Sequence, residues 1–127
     1  MNLRQVLGAV LLVATATGAG AQPTDGALVV LPFENPRADP RLQWVREGVA
    51  VLVADVLDAA GLEVVNRDER DSAFERLQLP VLAPLSRASA IKVGQAVGAA
   101  VVVVGRVELA ADQLSVSARA VRLDVGR

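Results

Sequence analysis

The chain has 127 residues, is 53% hydrophobic, and is nearly balanced in charge, with 13 Lys and Arg against 14 Asp and Glu. It holds no His, no Cys and no Tyr, which excludes Ser-His-Asp catalysis, His- or thiolate-ligated metal sites and stabilisation by disulfides. No basic excess offers a face to nucleic acid, and one Trp and two Phe are too few for a platform that stacks bases or sugars.

The chain opens on a segment that reads as an export signal. Met1 to Gln5 carries one positive charge at Arg4, and Val6 to Ala14 is an apolar run interrupted only by Gly8. Ala19-Gly20-Ala21 then supplies the small-x-small pattern that a signal peptidase accepts. Together they predict a cleaved signal peptide over residues 1–21 and a mature domain over residues 22–127. The apolar run falls short of the roughly 20 residues that a membrane span needs, and no Cys follows the small residues to take a lipid. The expected product is periplasmic or secreted, with no membrane span after cleavage. Loss of Arg4 leaves 12 basic against 14 acidic residues, in one small domain with a single core.

Ala27 to Leu31 is a continuous apolar run stopped by Pro32, as expected of a strand covered on both faces. A turn-rich loop over Glu34 to Asp39 follows. Asp39-Pro40 then opens a helix, with Asp as N-cap and Pro in the first position. Leu42, Val45, Val49, Leu52, Val53, Val56, Leu57 and Ala60 recur at helical spacing as one broad apolar face, and Gly61 stands where a left-handed cap belongs. Leu62 to Val65 is a second short strand. Asn66 caps a second helix, with Glu69 placed to reach back and Ala73, Phe74 and Leu77 turned to the core. Pro80 and Pro84 hold Leu79 to Leu85 extended.

Ser86 caps a third helix, on which Ala90, Ile91, Gly94, Val97 and Gly98 form a small-residue face. Both glycines are expected to bring that helix close to the sheet; the GxxxG spacing has no membrane meaning in a short polar helix. Ala99 to Val104 is a central buried strand. From Gly105 it alternates, with Arg106 and Glu108 outward and Val107 and Leu109 inward. Ala110 to Gln113 is a hairpin loop without the usual glycine. Leu114, Val116, Ala118 and Ala120 alternate with Ser115, Ser117 and Arg119, whereas Val121, Leu123 and Val125 take the other phase. A bulge or a second buried face therefore begins near Ala120. The order β-α-β-α-α-β-β gives an α/β domain leaning toward α+β. Its sheet is mixed, with three parallel strands, an antiparallel C-terminal edge strand and helices packed on it.

Leu31 to Pro36 contains neither phosphate-cradling glycine pattern. No Asp ends the first strand, so a receiver domain is excluded too. The cluster Asp68, Glu69 and Asp71 is interleaved with Arg67 and Arg70 and reads as a solvated helix start rather than a metal site. The residues nominate no catalytic group, no cofactor and no metal. By position alone, the loop beyond the first strand is the candidate binding rim, since ligands of open α/β sheets gather outside the carboxyl ends of the strands. That rim comprises Phe33, Glu34, Asn35, Arg37, Asp39 and Trp44, with Arg67 after the second strand. Trp44 lies off the apolar stripe and is expected to pack at the core or its rim.

Leu28 to Asn35, followed by Val45-Arg46-Glu47-Gly48 and a Leu/Val-rich helix, resembles the "VLPFEN…GL…L" opening of TolB-amino-terminal-like domains. FlgO-like and curli-secretion-like envelope domains are related to these. Gly61 to Val65 is similar to their second strand. Ile91-Lys92-Val93-Gly94 with Ala99 to Val107 is similar to their "G…GA..VV.G.V" segment. Leu114 to Arg119 and Leu123 to Gly126 resemble the closing "L.V.AR…LD…G". The likeness covers Ala27 to Gly126. It implies a non-catalytic envelope module, often found ahead of tetratricopeptide repeats or a β-propeller, and it transfers no catalytic residue. This chain stops at Arg127, as a stand-alone version or a truncation before repeats.

Two functions follow from this sequence. One is a non-catalytic periplasmic or cell-envelope interaction module that contacts envelope proteins through a sheet edge or helix face, possible as the amino-terminal part of a tetratricopeptide-repeat protein. The alternative is a small-ligand or carboxylate-based enzyme site at the rim loop. An enzyme or ligand site requires a concave pocket with several polar groups at the ends of the first two strands; an open strand edge favours the module. The edge from Leu114 to Leu123 is guarded only by Arg119 and Arg122, without Pro or Lys. Cleavage between Ala21 and Gln22 is the first expected outcome. Intact-mass analysis of exported protein checks it, and a product retaining residues 1–21 contradicts it.

Overall fold

Strand β3, Ala99–Ala110, is the spine of a four-stranded sheet whose order is β1-β4-β3-β2. The other strands are β1, Val10–Ala14, β2, Ala27–Val30, and β4, Gln113–Arg122. A 3-10 turn over Pro40–Leu42 leads into α1, Gln43–Ala59; α2 is Arg67–Arg76 and α3 is Arg87–Ala96. This computed structural model describes residues 10–14, 26–80 and 84–123. The signal cleavage junction, part of the proline connector and Val125 lie outside the described residues.

The molecule is a small α/β domain with a mixed sheet. β2 runs parallel to β3, and β3 runs antiparallel to β4. The expected second strand narrows to one parallel bridge between Leu28 and Val64. There the Leu28 N–H donates to the Glu63 carbonyl at 2.8 Å and the Val65 N–H to the Leu28 carbonyl at 2.7 Å. The C-terminal strand was expected as an edge; in the structure its outer side carries β1 in parallel register, from Val10 opposite Leu114 to Ala14 opposite Ala118. β1 lies within the apolar run that reads as an export signal.

Both faces of the sheet are buried, which is why β2 and the first half of β3 read as unbroken apolar runs. One face packs Leu28, Val30, Phe33, Val101, Val103, Val107 and Val116 against Leu42, Val45 and Ala50 at α1. The other packs Val29, Leu31, Ala99 and Val102 against Ala73 and Phe74 of α2 and Ala90 and Val93 of α3. Phe33 and Phe74 are fully enclosed, one in each layer, and each such burial is worth about 1.5–3 kcal/mol.

Local signals explain the helix ends. The Asp39 carboxylate accepts from the Arg41 N–H at 2.9 Å, with Pro40 in the first position as expected. Asn66 and Ser86 cap α2 and α3 through the N–H groups of Glu69 at 2.8 Å and Ser89 at 3.1 Å. Past α1, Gly61 has a positive φ, and Leu62 N–H reaches back to the Leu57 carbonyl at 3.1 Å, a Schellman-type stop.

Two expectations need correction, and one open alternative is decided. The broad apolar face of α1 is too wide: Leu52, Val56 and Ala60 are exposed, whereas Arg46 and Ala50 turn inward. Pairing between β3 and β4 is unbroken from Val101–Arg122 to Ala110–Gln113, so no bulge interrupts β4 near Ala120. The phase change marks a second buried face, where Leu123 packs with the α2–α3 layer. The bulge lies instead between Ala27 and Leu28, against β3. The hairpin closes without glycine because Ala111 and Asp112 both take left-handed φ values, 51° and 61°.

The second correction concerns the glycines of α3. Only Gly94 touches the sheet: a Cβ there would collide with Val102 Cγ2 and lie 2.7 Å from Leu123 Cδ1. Gly98 faces open space and serves a left-handed turn at φ 70°. Gly94→Ala is therefore expected to lose about 1–3 kcal/mol by overpacking, because Val102 is a branched side chain locked in the central strand. Gly98→Ala should lose only about 1 kcal/mol, from its φ. Urea denaturation of both variants checks the ranking; equal losses would contradict the close approach of α3.

Candidate functional site

The loop beyond β2 is held from beneath by two buried arginines. Phe33 N–H donates to the Arg46 carbonyl at 3.1 Å, and Arg46 Nε donates back to the Phe33 carbonyl at 2.8 Å. One residue of α1 thus satisfies both backbone groups of Phe33. Arg70, only 4% exposed, donates from Nη1 to the Val30 carbonyl at 3.3 Å and from Nη2 to Glu47 at 2.6 Å. Its Nε also meets Asp71 at 3.1 Å. The helix start that reads as solvated is thus anchored by a buried guanidinium linking α2 to β2 and α1.

The expected rim does not come together as one site. Phe33 lies in the core with no exposure, so it is not a rim residue. Asn35 Nδ2 donates to the Asp39 carbonyl at 2.8 Å, and the Asp39 N–H returns to Asn35 Oδ1 at 3.2 Å. Asp39 pairs with Arg41 at 2.8 Å. That side-chain hydrogen bond first, and the Arg41 N–H second, hold the Asp39 carboxyl below its usual range. The pair therefore persists to lower pH than an unpaired Asp would stay charged, and is lost as pH falls through the lowered pKa. Arg67 Nε reaches Glu47 at 3.3 Å and Asp71 at 3.8 Å, away from the other rim residues. Arg37 is exposed on the turn.

Trp44 does not pack in the core as expected. It is 75% exposed, on the outer face of α1, and its ring lies over Gly48. With Leu52 and Val56, 65% and 67% exposed, it forms an apolar ridge along that helix. Of the seven rim candidates only Glu34 lines a concavity.

That concavity is a groove of about 390 Å³ on the α3 side of the sheet, starting at the carboxyl end of β2 and running over β3 and β4. Leu31, Val102, Val104 and Val121 contribute its apolar lining, with Ala90 and Ile91 of α3. Arg87, Arg106 and Arg119 line it as well, and Glu34 is its only carboxylate among the described residues. A glycosidase-type mechanism needs a pair of carboxylates, which this groove does not present. The three arginines were missed by position-based reasoning. The signal for two of them was the hairpin: a two-residue turn at Ala111-Asp112 sets Arg106 opposite Ser117 and Arg119 opposite Val104.

Among the described residues, no buried side-chain polar atom lacks a hydrogen-bond partner, and no three acidic residues gather as a metal site. No described helix is long and apolar enough to cross a membrane.

No family model matches the chain, and no curated protein does. A solved structure, the LpoB C-terminal domain from Salmonella enterica, is similar in fold. The TM-score is 0.58 at 16% identity, over 80% of this chain and 75% of that one. At this identity the likeness is one of architecture and carries no residue across.

Removing Arg70 leaves the Val30 carbonyl without its donor and Glu47 with only the exposed Arg67 as partner. Arg70→Ala is expected to cost about 3 kcal/mol or more, whereas Arg67→Ala, whose side chain is 61% exposed, should stay within about 0.5 kcal/mol. Chemical denaturation of the two variants checks this difference.

Proposed function

We propose that this chain is a non-catalytic module of the bacterial cell envelope, exported by removal of residues 1–21, that binds envelope proteins by strand addition to β4. The TolB-amino-terminal-like and FlgO-like resemblance supports this class of module. The likeness to the LpoB C-terminal domain supports an architecture that also occurs as one part of a larger protein. The exposed ridge of Trp44, Leu52 and Val56 is the kind of apolar surface that interaction domains carry. Against the enzyme alternative, Asn35, Asp39 and Arg67 of the rim are engaged in bonds within the domain, and the groove lacks a carboxylate pair among the described residues.

The outer edge of β4 carries the proposal. Leu31 N–H donates to Val103 and Val107 N–H to Glu34, so the odd-numbered residues of β3 turn their backbone groups to β2 and its following loop. Val107 stands opposite Val116. By the alternation of an antiparallel ladder, Leu114, Val116 and Ala118 then aim their N–H and C=O groups away from β3. In the full chain, β1 covers that edge over five positions. Cleavage of the leader takes β1 away and opens the edge to a partner's extended segment, bound through main-chain hydrogen bonds.

Val116→Pro tests this directly. Proline removes one outward N–H without removing a β3–β4 bond, and it keeps nearly the volume of valine at a site only 4% exposed. Cross-linking in the periplasm is expected to capture a complex with the wild type and to lose it with this variant. Equal association in both, with both folded, would rule out the edge as the binding surface.

A further inference from the structure

We propose that the groove over β3 and β4 binds an acidic, extended peptide segment of a partner protein, its carboxylates taken by Arg87, Arg106 and Arg119. The proposal does not rest on strand addition: the groove lies on the α3 face of the sheet, whereas strand addition uses the backbone groups at its rim.

The three arginines are placed where the fold alone gains nothing from them. Arg106 is opposite Ser117 and Arg119 is opposite Val104, so the two are diagonal neighbours on one face, their Cα atoms roughly 7–8 Å apart. Like charges at that spacing repel. Arg87 is the first residue of α3, whose first turn has no acidic residue. A cation there opposes the helix dipole, which favours negative charge at a helix start. All three are exposed, and among the described residues none of them forms an ion pair. Arg41, Arg67 and Arg70, by contrast, each meet a carboxylate. Such departures from local preference, gathered around one concavity, are the mark of a binding site.

An anionic ligand relieves both costs together. Guanidinium groups bind carboxylates through paired, charge-assisted hydrogen bonds, and Glu34 offsets only one of the three charges. The whole chain is close to neutral, so the attraction is local to the groove. The floor selects a peptide over a bare anion. Val104 and Val121, which line it, are only half-buried, and apolar groups between the carboxylates would cover them. The arginines stand on three separate elements, which suits carboxylates spaced along an extended chain better than one compact ion.

The test is fluorescence anisotropy with the full chain and two labelled peptides, acetyl-Glu-Val-Glu-Val-Glu-amide and its Lys-for-Glu analogue. The acidic peptide is expected to bind, with affinity falling as salt rises, and the lysine peptide is not. The double variant Arg106→Gln/Arg119→Gln should weaken binding about tenfold or more, and Arg87→Gln, on a different element, should weaken it severalfold. Both change exposed side chains, and unchanged melting temperatures verify folding. Millimolar inorganic phosphate should leave the peptide bound. Equal binding of the two peptides, an unaffected folded double variant, displacement by phosphate alone, or retention on phosphatidylglycerol vesicles without peptide binding would each overturn the proposal. Val116→Pro leaves the arginines in place, so failure of strand addition and failure of the groove are separate results.

Discussion

β3 bonds on both edges and is covered on both faces over its first half, and the remaining layers are placed by that fact. Its backbone reaches β2 and the following loop through Val103, Gly105 and Val107, and β4 through the residues between them. Its side chains alternate between two cores, Val101, Val103 and Val107 with α1, and Val102 with α2 and α3. The first half of the strand has no solvent-facing side to set its register. Register is set instead by the two-residue hairpin to β4 and by the bulge opposite Ala27 and Leu28. The hairpin is built in spite of its residues, since Ala111 takes a left-handed φ that lacks glycine's freedom.

The two buried arginines complete what the apolar core cannot. The chain leaves β2 at Val30 and enters an irregular stretch whose carbonyls at Val30 and Phe33 would otherwise lie buried without donors. Arg70 and Arg46 supply them from two different helices. Glu47 ties the arrangement together by accepting from Arg70 and pairing with Arg67. The arginine stems pack among apolar groups while their heads satisfy backbone oxygen. The loop that reads as a ligand rim is therefore a structural joint between β2, α1 and α2, and the polar groups of Asn35 and Asp39 are spent on its own bonds.

What the joint leaves over is distributed on three surfaces: the outer edge of β4, the apolar ridge of α1, and the arginine-lined groove under α3. None of them is assembled from the rim loop, apart from Glu34. All three share one physical trait, a local preference left unmet within the described residues. For the edge the unmet groups are the main-chain donors and acceptors that the proposed removal of β1 would expose; for the ridge, exposed Trp44, Leu52 and Val56; for the groove, three cations that form no ion pair.

Much of this domain is determined by its sequence alone. The apolar runs at Ala27 to Leu31 and Ala99 to Val104 determine buried strands, because a strand covered on both faces has no polar phase. Asp39-Pro40, Asn66 and Ser86 determine the helix starts, and Gly61 a helix stop, because caps act within a few residues. The missing His and Cys remove whole chemistries without any structure. Tertiary structure alone decided the rest. It turned Arg46 and Arg70 inward and Leu52 and Val56 outward, since helical periodicity finds an apolar face but not how much of it a sheet can cover. It gave Gly94 the close contact and Gly98 the turn, because only the position of Val102 separates two glycines at equivalent spacing. It brought Arg87, Arg106 and Arg119 to one groove from three separate elements. Charges distant in sequence become neighbours through register and layer packing, and neither is written in the local pattern of residues.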